Sequence, residues 1–465
     1  MHKVFDEVYT LDKRCYDEFL LNEDILMENA ALGLAKAIRK RFKRGSSLLI
    51  VSGPGNNGAD GVTLGRILYK EYDVSLYLPV GAKSNMCKTQ LDRAKAIGVK
   101  EIAEITKSDI VVDAIFGSGL NKPLSEEIVK VIKRLNALEA FKIACDIPTG
   151  LDTKGNPSPI AFEADVTVSM GSYKTTLFSD NAKDFVGKIK VADLGVSREV
   201  YEGNTDTFVL EKSDMRLPLR VKKCSNKGDF GHTLMILGEK KGACIIAAKA
   251  AFAFGSGLCS IFSKKPVKLP EEIMLAKSVP HNTTSICLGM GLGKKYNIEV
   301  INKIINDKNI PLVVDADLFK DELIEEILQK RENLVLTPHP REFASLLKLL
   351  KIEDIDVKEV QRRRFELARE FTKRYKDVVL LLKGSNTLIS RNGKVYINTF
   401  GSPTLSKGGS GDVLTGLIGA LLSQEYQTLE AAISASLAHS FAAKAYKKAN
   451  YSLSPNDLIE EIKCL

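Results

Sequence analysis

The stretch Ile50-Val51-Ser52-Gly53-Pro54-Gly55-Asn56-Asn57-Gly58-Ala59-Asp60-Gly61 runs from an apolar segment into a glycine-rich turn, and it decides the fold of the first half of the chain. A short apolar run that ends in glycine suits a parallel strand covered on both faces. The pattern recurs at residues 73–81, 108–117, 141–150 and 165–171, with helix-period stretches at 61–71, 85–97 and 124–138 and an earlier one over 23–41. This alternation predicts an α/β fold with a Rossmann-like, doubly wound sheet. Loops at the carboxyl ends of such strands form the ligand crevice. Glycines 53, 55, 58 and 61 are expected to turn amides toward a ligand, ahead of a helix starting near residue 61. Yet the loop carries two asparagines and an aspartate and lacks the lysine of a phosphoryl-transfer loop.

Around residues 196–225 the pattern breaks into charged, weakly periodic sequence interrupted by Pro218. A second α/β series follows, with strands expected at 232–238, 284–293, 310–319, 333–340, 377–385 and 394–401. Helices are expected at 242–254, 341–350 and 357–374, and an alanine-rich helical region over 411–448 whose small residues imply close packing. The halves share no repeat. We therefore expect two different domains, 1–207 and 208–465.

The bulk properties narrow the class. The 465 residues are 44% hydrophobic and 27% charged, with a net charge of +9. The basic residues are dispersed and no aromatic stripe interleaves them, so no nucleic-acid surface is expected. No apolar run has membrane-spanning length, and the charged N-terminus lacks a signal-peptide core, which predicts a cytoplasmic protein without a membrane partner. The eight cysteines at 15, 87, 145, 224, 244, 259, 287 and 464 include no CxxC pair. Packed, reduced thiols fit better than zinc ligands or disulfides.

Four first-half loops carry chemistry: the opening one, Asp113-Ala114-Ile115-Phe116-Gly117-Ser118-Gly119-Leu120-Asn121-Lys122-Pro123, Asp146-Ile147-Pro148-Thr149-Gly150-Leu151-Asp152, and Gly171-Ser172-Tyr173-Lys174. Two amide-rich glycine turns suit a ligand with two phosphates. Asn57, Asp113 and Thr149 offer hard oxygens to a monovalent cation. Asp146 stands at a strand end with Lys174 as a candidate charge partner, an arrangement suited to proton transfer. Taken singly, each loop is also explained as an ordinary turn, and Asp113 or Asp152 as a helix cap. Four at successive strand ends favour a site.

GPGNNGADG, DAIFGSGL, DIPTGLD and DVTVSMGSYKTTLF, with LMENAA at 26–31, resemble the YjeF N-terminal family of NAD(P)H-hydrate epimerases over roughly residues 1–200. The resemblance implies epimerisation of NAD(P)HX, the hydrated form of NADH or NADPH. It implies substrate contacts from Asn56, Asn57, Gly58, Ala59, Asp60, from Gly117, Ser118, Gly119, Leu120, Asn121, Lys122 and Pro123, and from Asp146. Potassium would be held by Asn57, Asp113 and Thr149, and Asp146 is the candidate catalytic group. Ala59 stands where the family usually has glycine, which asks whether the backbone there needs a positive φ.

In the second half, Gly408-Gly409-Ser410-Gly411-Asp412 opens an apolar helix. Its amides predict an anion hole, with Asp412 placed to take a proton from a hydroxyl while phosphoryl transfer occurs. This arrangement resembles that of the ribokinase-like superfamily. Supporting loops are Lys383-Gly384-Ser385-Asn386-Thr387, Asp315-Ala316-Asp317, Thr337-Pro338-His339-Pro340-Arg341-Glu342, Lys227–His232 and Gly289–Gly293. Together they resemble the YjeF C-terminal family, the ADP- or ATP-dependent NAD(P)H-hydrate dehydratases, over about 220–445. The resemblance implies a ribokinase-like domain that dehydrates (S)-NAD(P)HX with ADP, or alternatively ATP, and Mg2+. Asp412 would be catalytic, Ala243, Gly291 and His339 would meet the substrate, and Lys383–Thr387 with Gly411 would hold the nucleotide. A homo-oligomer is expected. The competing readings are a vitamin-precursor kinase with a regulatory N-terminal domain, and a scaffold role for the N-terminal half.

Overall fold

The computed structural model describes residues 1–120 and 122–465; Asn121, expected above at the substrate, lies outside the described residues. The chain divides into two compact units, His2–Thr205 and Asp206–Leu465.

The first unit is built on a 7-stranded sheet. Its order is Lys100–Ile102, Asp73–Tyr77, Ser47–Ser52, Ile110–Ala114, Phe141–Cys145, Val166–Met170 and Lys188–Ala192, every neighbour parallel. The strand Ile110–Ala114 is buried throughout: its apolar residues Ile110, Val111 and Val112 require it, and Asp113 is carried into the interior with them. Each such Val or Ile side chain contributes about 1.5–3 kcal/mol when fully buried. The order reverses direction between Ser47–Ser52 and Ile110–Ala114, which puts the switch point beside the opening loop and the Gly117 loop. The edge strands Lys100–Ile102 and Lys188–Ala192 lack apolar runs and were not expected.

The opening loop is shorter than expected. The helix begins at Asn56 and runs to Leu68, with Gly55 as N-cap, so Gly58, Ala59 and Gly61 lie inside it. The expectation that Gly61 turns its amide to a ligand is corrected, since it lies past the first turn; Gly58, in the first turn, keeps an amide that precedes the first intrahelical bond, Ala59 to Gly55. Both glycines are needed sterically: a Cβ on Gly58 would fall 1.9 Å from the Gly53 carbonyl oxygen, and one on Gly61 would fall 2.6 Å from the Ala114 Cβ. The glycines bring the helix down onto the sheet. Ala59 has an ordinary helical backbone, and its buried methyl packs with Met27 and Cys87.

The second unit has the order Met274–Ala276, Leu258–Phe262, His232–Ile236, Ser285–Leu288, Leu312–Val314, Leu334–Leu336 and Val378–Leu382, all parallel. An antiparallel hairpin, Thr387–Arg391 and Lys394–Asn398, extends it, and Thr207–Val209 pairs parallel with the last strand. The expected helical region 411–448 is two helices, Ser410–Ser423 and Thr428–Ala445. They part where Glu425 takes φ +67°, a left-handed conformation that a helix cannot continue through. Close packing does occur: a Cβ on Gly416 would lie 2.2 Å from the Ala247 carbonyl oxygen of the helix Lys241–Ala253.

All eight cysteines are free, and Cys145, Cys244, Cys259 and Cys287 are buried. Burial pushes the Cys259 thiol up to about 12, so it is inert packing. Among the described residues no helix is long and apolar enough to cross a membrane.

Candidate active site

In the first unit a cleft of about 370 Å³ opens at the carboxyl ends of the central strands. Asn56, Asn57, Asp60, Gly117, Ser118, Gly119 and Asp146 all line it, as does Lys174. Gly58 and Ala59 sit behind it in the helix. Leu120 is half-buried, while Lys122 and Pro123 are exposed beyond the turn.

Asp146 directly follows the strand Phe141–Cys145 and takes φ +67°. Its Oδ1 accepts from Lys174 Nζ at 2.5 Å and from the Met170 amide at 3.1 Å, and its Oδ2 accepts from the Ser118 amide at 3.3 Å. Lys174, 1% exposed, also donates to Ser169 Oγ and the Met170 carbonyl. A carboxylate fixed by three donors keeps one geometry and can pass a proton at Oδ2, the oxygen not engaged by the lysine.

Asp113 is fully buried at the next strand end. Its Oδ1 accepts from Thr149 Oγ1 at 2.7 Å and its Oδ2 from the Thr149 amide at 2.8 Å. Burial pushes its carboxyl up to about 6 against the pull of those hydrogen bonds. The Thr149 hydroxyl has one proton. When that proton goes to Asp113, the Phe116 carbonyl oxygen lies 3.1 Å from Thr149 Oγ1 with no hydrogen between them. Nearby, the side-chain N–H of Asn57 is buried without a hydrogen-bond partner among the described residues, and a Cβ on Gly117 would lie 2.8 Å from Asn57 Oδ1. One carboxylate among neutral oxygens suits a monovalent cation, and the orphaned amide suits a ligand oxygen beside it. The residues therefore fit potassium. Among the described residues no group of three or more His, Cys, Asp or Glu side chains could hold a metal.

Two further carboxyls face the cleft. Asp60 is pushed well above the usual carboxylate range, first by burial and then by Asp146, Asp12 and Glu23. Asp12, which the sequence gave no reason to single out, is raised by burial as well.

In the second unit, Gly409 takes φ +91° and caps the helix Ser410–Ser423; the Ser410 amide donates to the Lys407 carbonyl at 3.3 Å, and the amides of Gly411 and Asp412 point away from the helix body. Lys383 follows the strand Val378–Leu382, and its Nζ lies 3.0 Å from Asp315 Oδ1 and 3.9 Å from Glu342 Oε2. A Cβ on Gly411 would be 3.4 Å from the same Nζ. The lysine thus stands at the mouth of the anion hole. Asp315 also accepts from Thr415 Oγ1 at 2.8 Å, one turn below Asp412. Burial, then repulsion from Asp315, pushes Asp412 up to about 6, with Lys383 pulling the other way. A carboxyl poised there suits a general base near neutral pH.

The remaining expected residues are placed as follows. Ala243 and Gly291 meet across the switch point between His232–Ile236 and Ser285–Leu288, since a Cβ on Gly291 would be 3.3 Å from the Ala243 Cβ. His339 caps the helix Pro340–Leu349: its Nδ1 accepts from the Arg341 and Glu342 amides, and Glu342 reaches back to the His339 amide at 2.8 Å. Its imidazole is still 46% exposed, so capping leaves a face for a ligand. Gly384, Ser385 and Asn386 form the hairpin turn that leads into Thr387. Sequence reading did not give Asp315 and Glu342 their place around Lys383; charged residues at two strand ends were the only signal.

A family model described as NAD(P)H-hydrate dehydratase matches residues 233–464, and one described as YjeF-related protein N-terminus matches residues 23–176. The chain is 44% identical to a bifunctional NAD(P)H-hydrate repair enzyme of Helicobacter pylori over 100% of both chains. It is 30% identical to one of Coxiella burnetii over 91% of this chain and 90% of that one. Among solved structures, an ADP/ATP-dependent NAD(P)H-hydrate dehydratase from Bacillus subtilis, co-crystallized with ATP and Mg2+, is 25% identical with a TM-score of 0.44, covering 53% of this chain and 92% of that one.

Proposed function

The chain belongs to the family of bifunctional NAD(P)H-hydrate repair enzymes, and on that premise we propose that each unit carries one half of the repair. The first unit interconverts (R)- and (S)-NAD(P)HX. The second removes water from the S epimer with ADP as phosphoryl donor, ATP being the alternative. The observation that carries the assignment is that each unit presents a carboxyl–lysine set at its ligand crevice: Asp146 with Lys174, both buried, and half-buried Asp412 with Lys383 and buried Asp315.

In the first cleft the amides of Asn56 and Asn57 at the helix N-terminus and those of Gly117 and Gly119 bind the substrate's pyrophosphate, while the Ser118 amide stays on Asp146. Asn57, Asp113 and Thr149 would hold potassium, which supplies positive charge beside the phosphates. Lys174 holds the Asp146 carboxylate in one position, and Asp146 moves the proton.

In the second site Asp412 takes the proton of the hydrate hydroxyl. The freed oxygen attacks the terminal phosphorus of ADP, and AMP departs. The amides of Gly411 and Asp412 and the Lys383 ammonium hold the transferring phosphoryl group. Phosphate then leaves with the help of the ring nitrogen's electron pair, and loss of the neighbouring C–H proton restores the double bond. Mg2+ would enter with the nucleotide phosphates beside Asp315.

The test supplies mixed (R)- and (S)-NAD(P)HX with ADP, or with ATP, and follows the returning near-ultraviolet absorbance of NAD(P)H. Full conversion supports both activities. Conversion of the S fraction alone removes the epimerase, and no conversion with either nucleotide removes the whole reading.

A further inference from the structure

Asp12 lies outside every stretch assigned a role above, yet its side chain forms part of the wall of the N-terminal cleft. It is carried by the helix Tyr9–Asp17. Its Oδ1 accepts the Tyr201 hydroxyl at 2.6 Å, and its Oδ2 takes no hydrogen bond among the described residues. Tyr201 is 1% exposed. Its ring is wedged against Gly171, where a Cβ would fall 2.4 Å from ring carbons. Gly171 follows Met170, whose amide donates to Asp146 and whose carbonyl accepts from Lys174. One backbone segment therefore braces the Asp146–Lys174 pair and the Tyr201–Asp12 pair together.

We infer that Asp12, held by Tyr201, is a second catalytic proton-transfer residue of the N-terminal cleft, working in tandem with Asp146. The inference rests on the epimerase reading. In the hydrate, the reacting carbon bears both the hydroxyl and the ring nitrogen. Inversion by loss and return of water needs two proton positions. One group protonates the hydroxyl as the C–O bond breaks, and the nitrogen lone pair forms a C=N+ bond. The other takes a proton from the water that adds to the opposite face of the planar carbon. Water leaves and water returns, so nothing is oxidised or reduced. In the reverse direction the two groups exchange roles. Asp146, paired with a buried lysine, suits the base. Asp12 suits the acid: burial and the neighbouring Asp146 raise its affinity for a proton, while Tyr201 and Lys174 work the other way.

The test uses the full chain with (R)-NADHX in H2(18)O, following both the S epimer formed and label at its hydroxyl. Asp12→Asn keeps an acceptor for Tyr201 but cannot donate an acid proton. The expected result is a kcat loss of about 100-fold or more for epimerisation and for label uptake together, with KM changed less than about threefold. Dehydration of (S)-NADHX stays at the wild-type rate. Tyr201→Phe is the second variant: loss of its hydrogen bond raises the Asp12 pKa, so the limb of the pH profile governed by Asp12 moves up. The ionisable groups facing Asp12 are Glu7, Cys15 and Tyr16 from its own segment, Asp60, Asp146, Lys174 and Tyr201. Asp60→Asn serves as the comparison. Wild-type kcat in Asp12→Asn, an unmoved profile in Tyr201→Phe, or a loss seen in Asp60→Asn but not Asp12→Asn overturns the inference. If Asp12→Asn does not fold, the Tyr201→Phe profile decides. Asp146→Asn separates the two levels: if it too retains full epimerisation, the epimerase mechanism built on Asp146 fails, whereas its loss beside an active Asp12→Asn removes Asp12 alone.

Discussion

Lys174 Nζ lies 2.5 Å from Asp146 Oδ1, and the two side chains are only 2% and 9% exposed. Removing one member of such a buried pair strands the other's charge. Lys174→Met is expected to destabilise the N-terminal unit by about 3–5 kcal/mol and to abolish epimerisation. Adding Asp146→Asn to Lys174→Met should recover much of the stability and none of the activity. Denaturant unfolding of the four proteins in the cycle measures the coupling.

The dehydratase should be limited by an acid limb. Asp412 must be ionised to accept the hydroxyl proton, and it titrates at about 6. Dehydration of (S)-NAD(P)HX should therefore fall about tenfold per pH unit below that point. The same shift has a stability sign. The folded pKa is raised above that of an ordinary aspartate, so the fold favours the protonated form. The penalty is absent below the unfolded pKa, grows as pH rises toward about 6, and is full above it. Asp412→Asn should be inactive yet more stable than wild type at neutral pH, by on the order of 2 kcal/mol, with the difference vanishing in acid. Thermal unfolding across pH reads this directly.

Potassium should matter to one activity only. Exchanging it for choline is expected to slow epimerisation at least about tenfold and leave the Asp412 site unaffected. Because Asp113 titrates at about 6, protons compete with the cation there. The potassium concentration for half-maximal epimerisation should rise as pH falls through that value. A concentration unchanged in acid would remove Asp113 from the cation site.

Two glycines of one turn should respond in opposite ways. A Cβ on Gly117 meets Asn57 Oδ1 at 2.8 Å and Asp146 Oδ2 at 3.1 Å, whereas one on Gly119 meets nothing within 4 Å. Gly117→Ala should cost epimerase kcat about 100-fold through misplacement of Asp146, and Gly119→Ala should stay within about threefold. Steady-state kinetics on the two variants suffices.

His339 combines a cap with an exposed ring. His339→Ala should lose about 1 kcal/mol of stability, and His339→Asn should keep it. A shared rise in KM for NAD(P)HX would mark the ring as a substrate contact; unchanged KM in both would leave it a cap.

The strands that were legible are those with short apolar runs, such as Ile110–Val112 and Val378–Leu382, which suit buried parallel strands. The catalytic candidates were legible because polar residues interrupt those runs at their carboxyl ends. What escaped was set by distance in sequence. Asp12 and Tyr201 meet across 189 positions, and nothing local to either shows it. The start of the helix at Asn56 escaped for a different reason. Gly58 and Gly61 read as loop residues by propensity, but tertiary contact with Gly53 and Ala114 overrides that preference.

Asp146 carries its carboxylate on a backbone at φ +67°. Left-handed backbone costs most L-residues about 1–2 kcal/mol, and aspartate, asparagine and glycine tolerate it best. The position is thus a narrow gate for laboratory evolution. A library there would return few folded chemistries besides a carboxylate, an amide or a bare hydrogen, whatever activity the selection rewards. New reactions in this cleft would have to be sought by changing the neighbours of residue 146 rather than residue 146 itself.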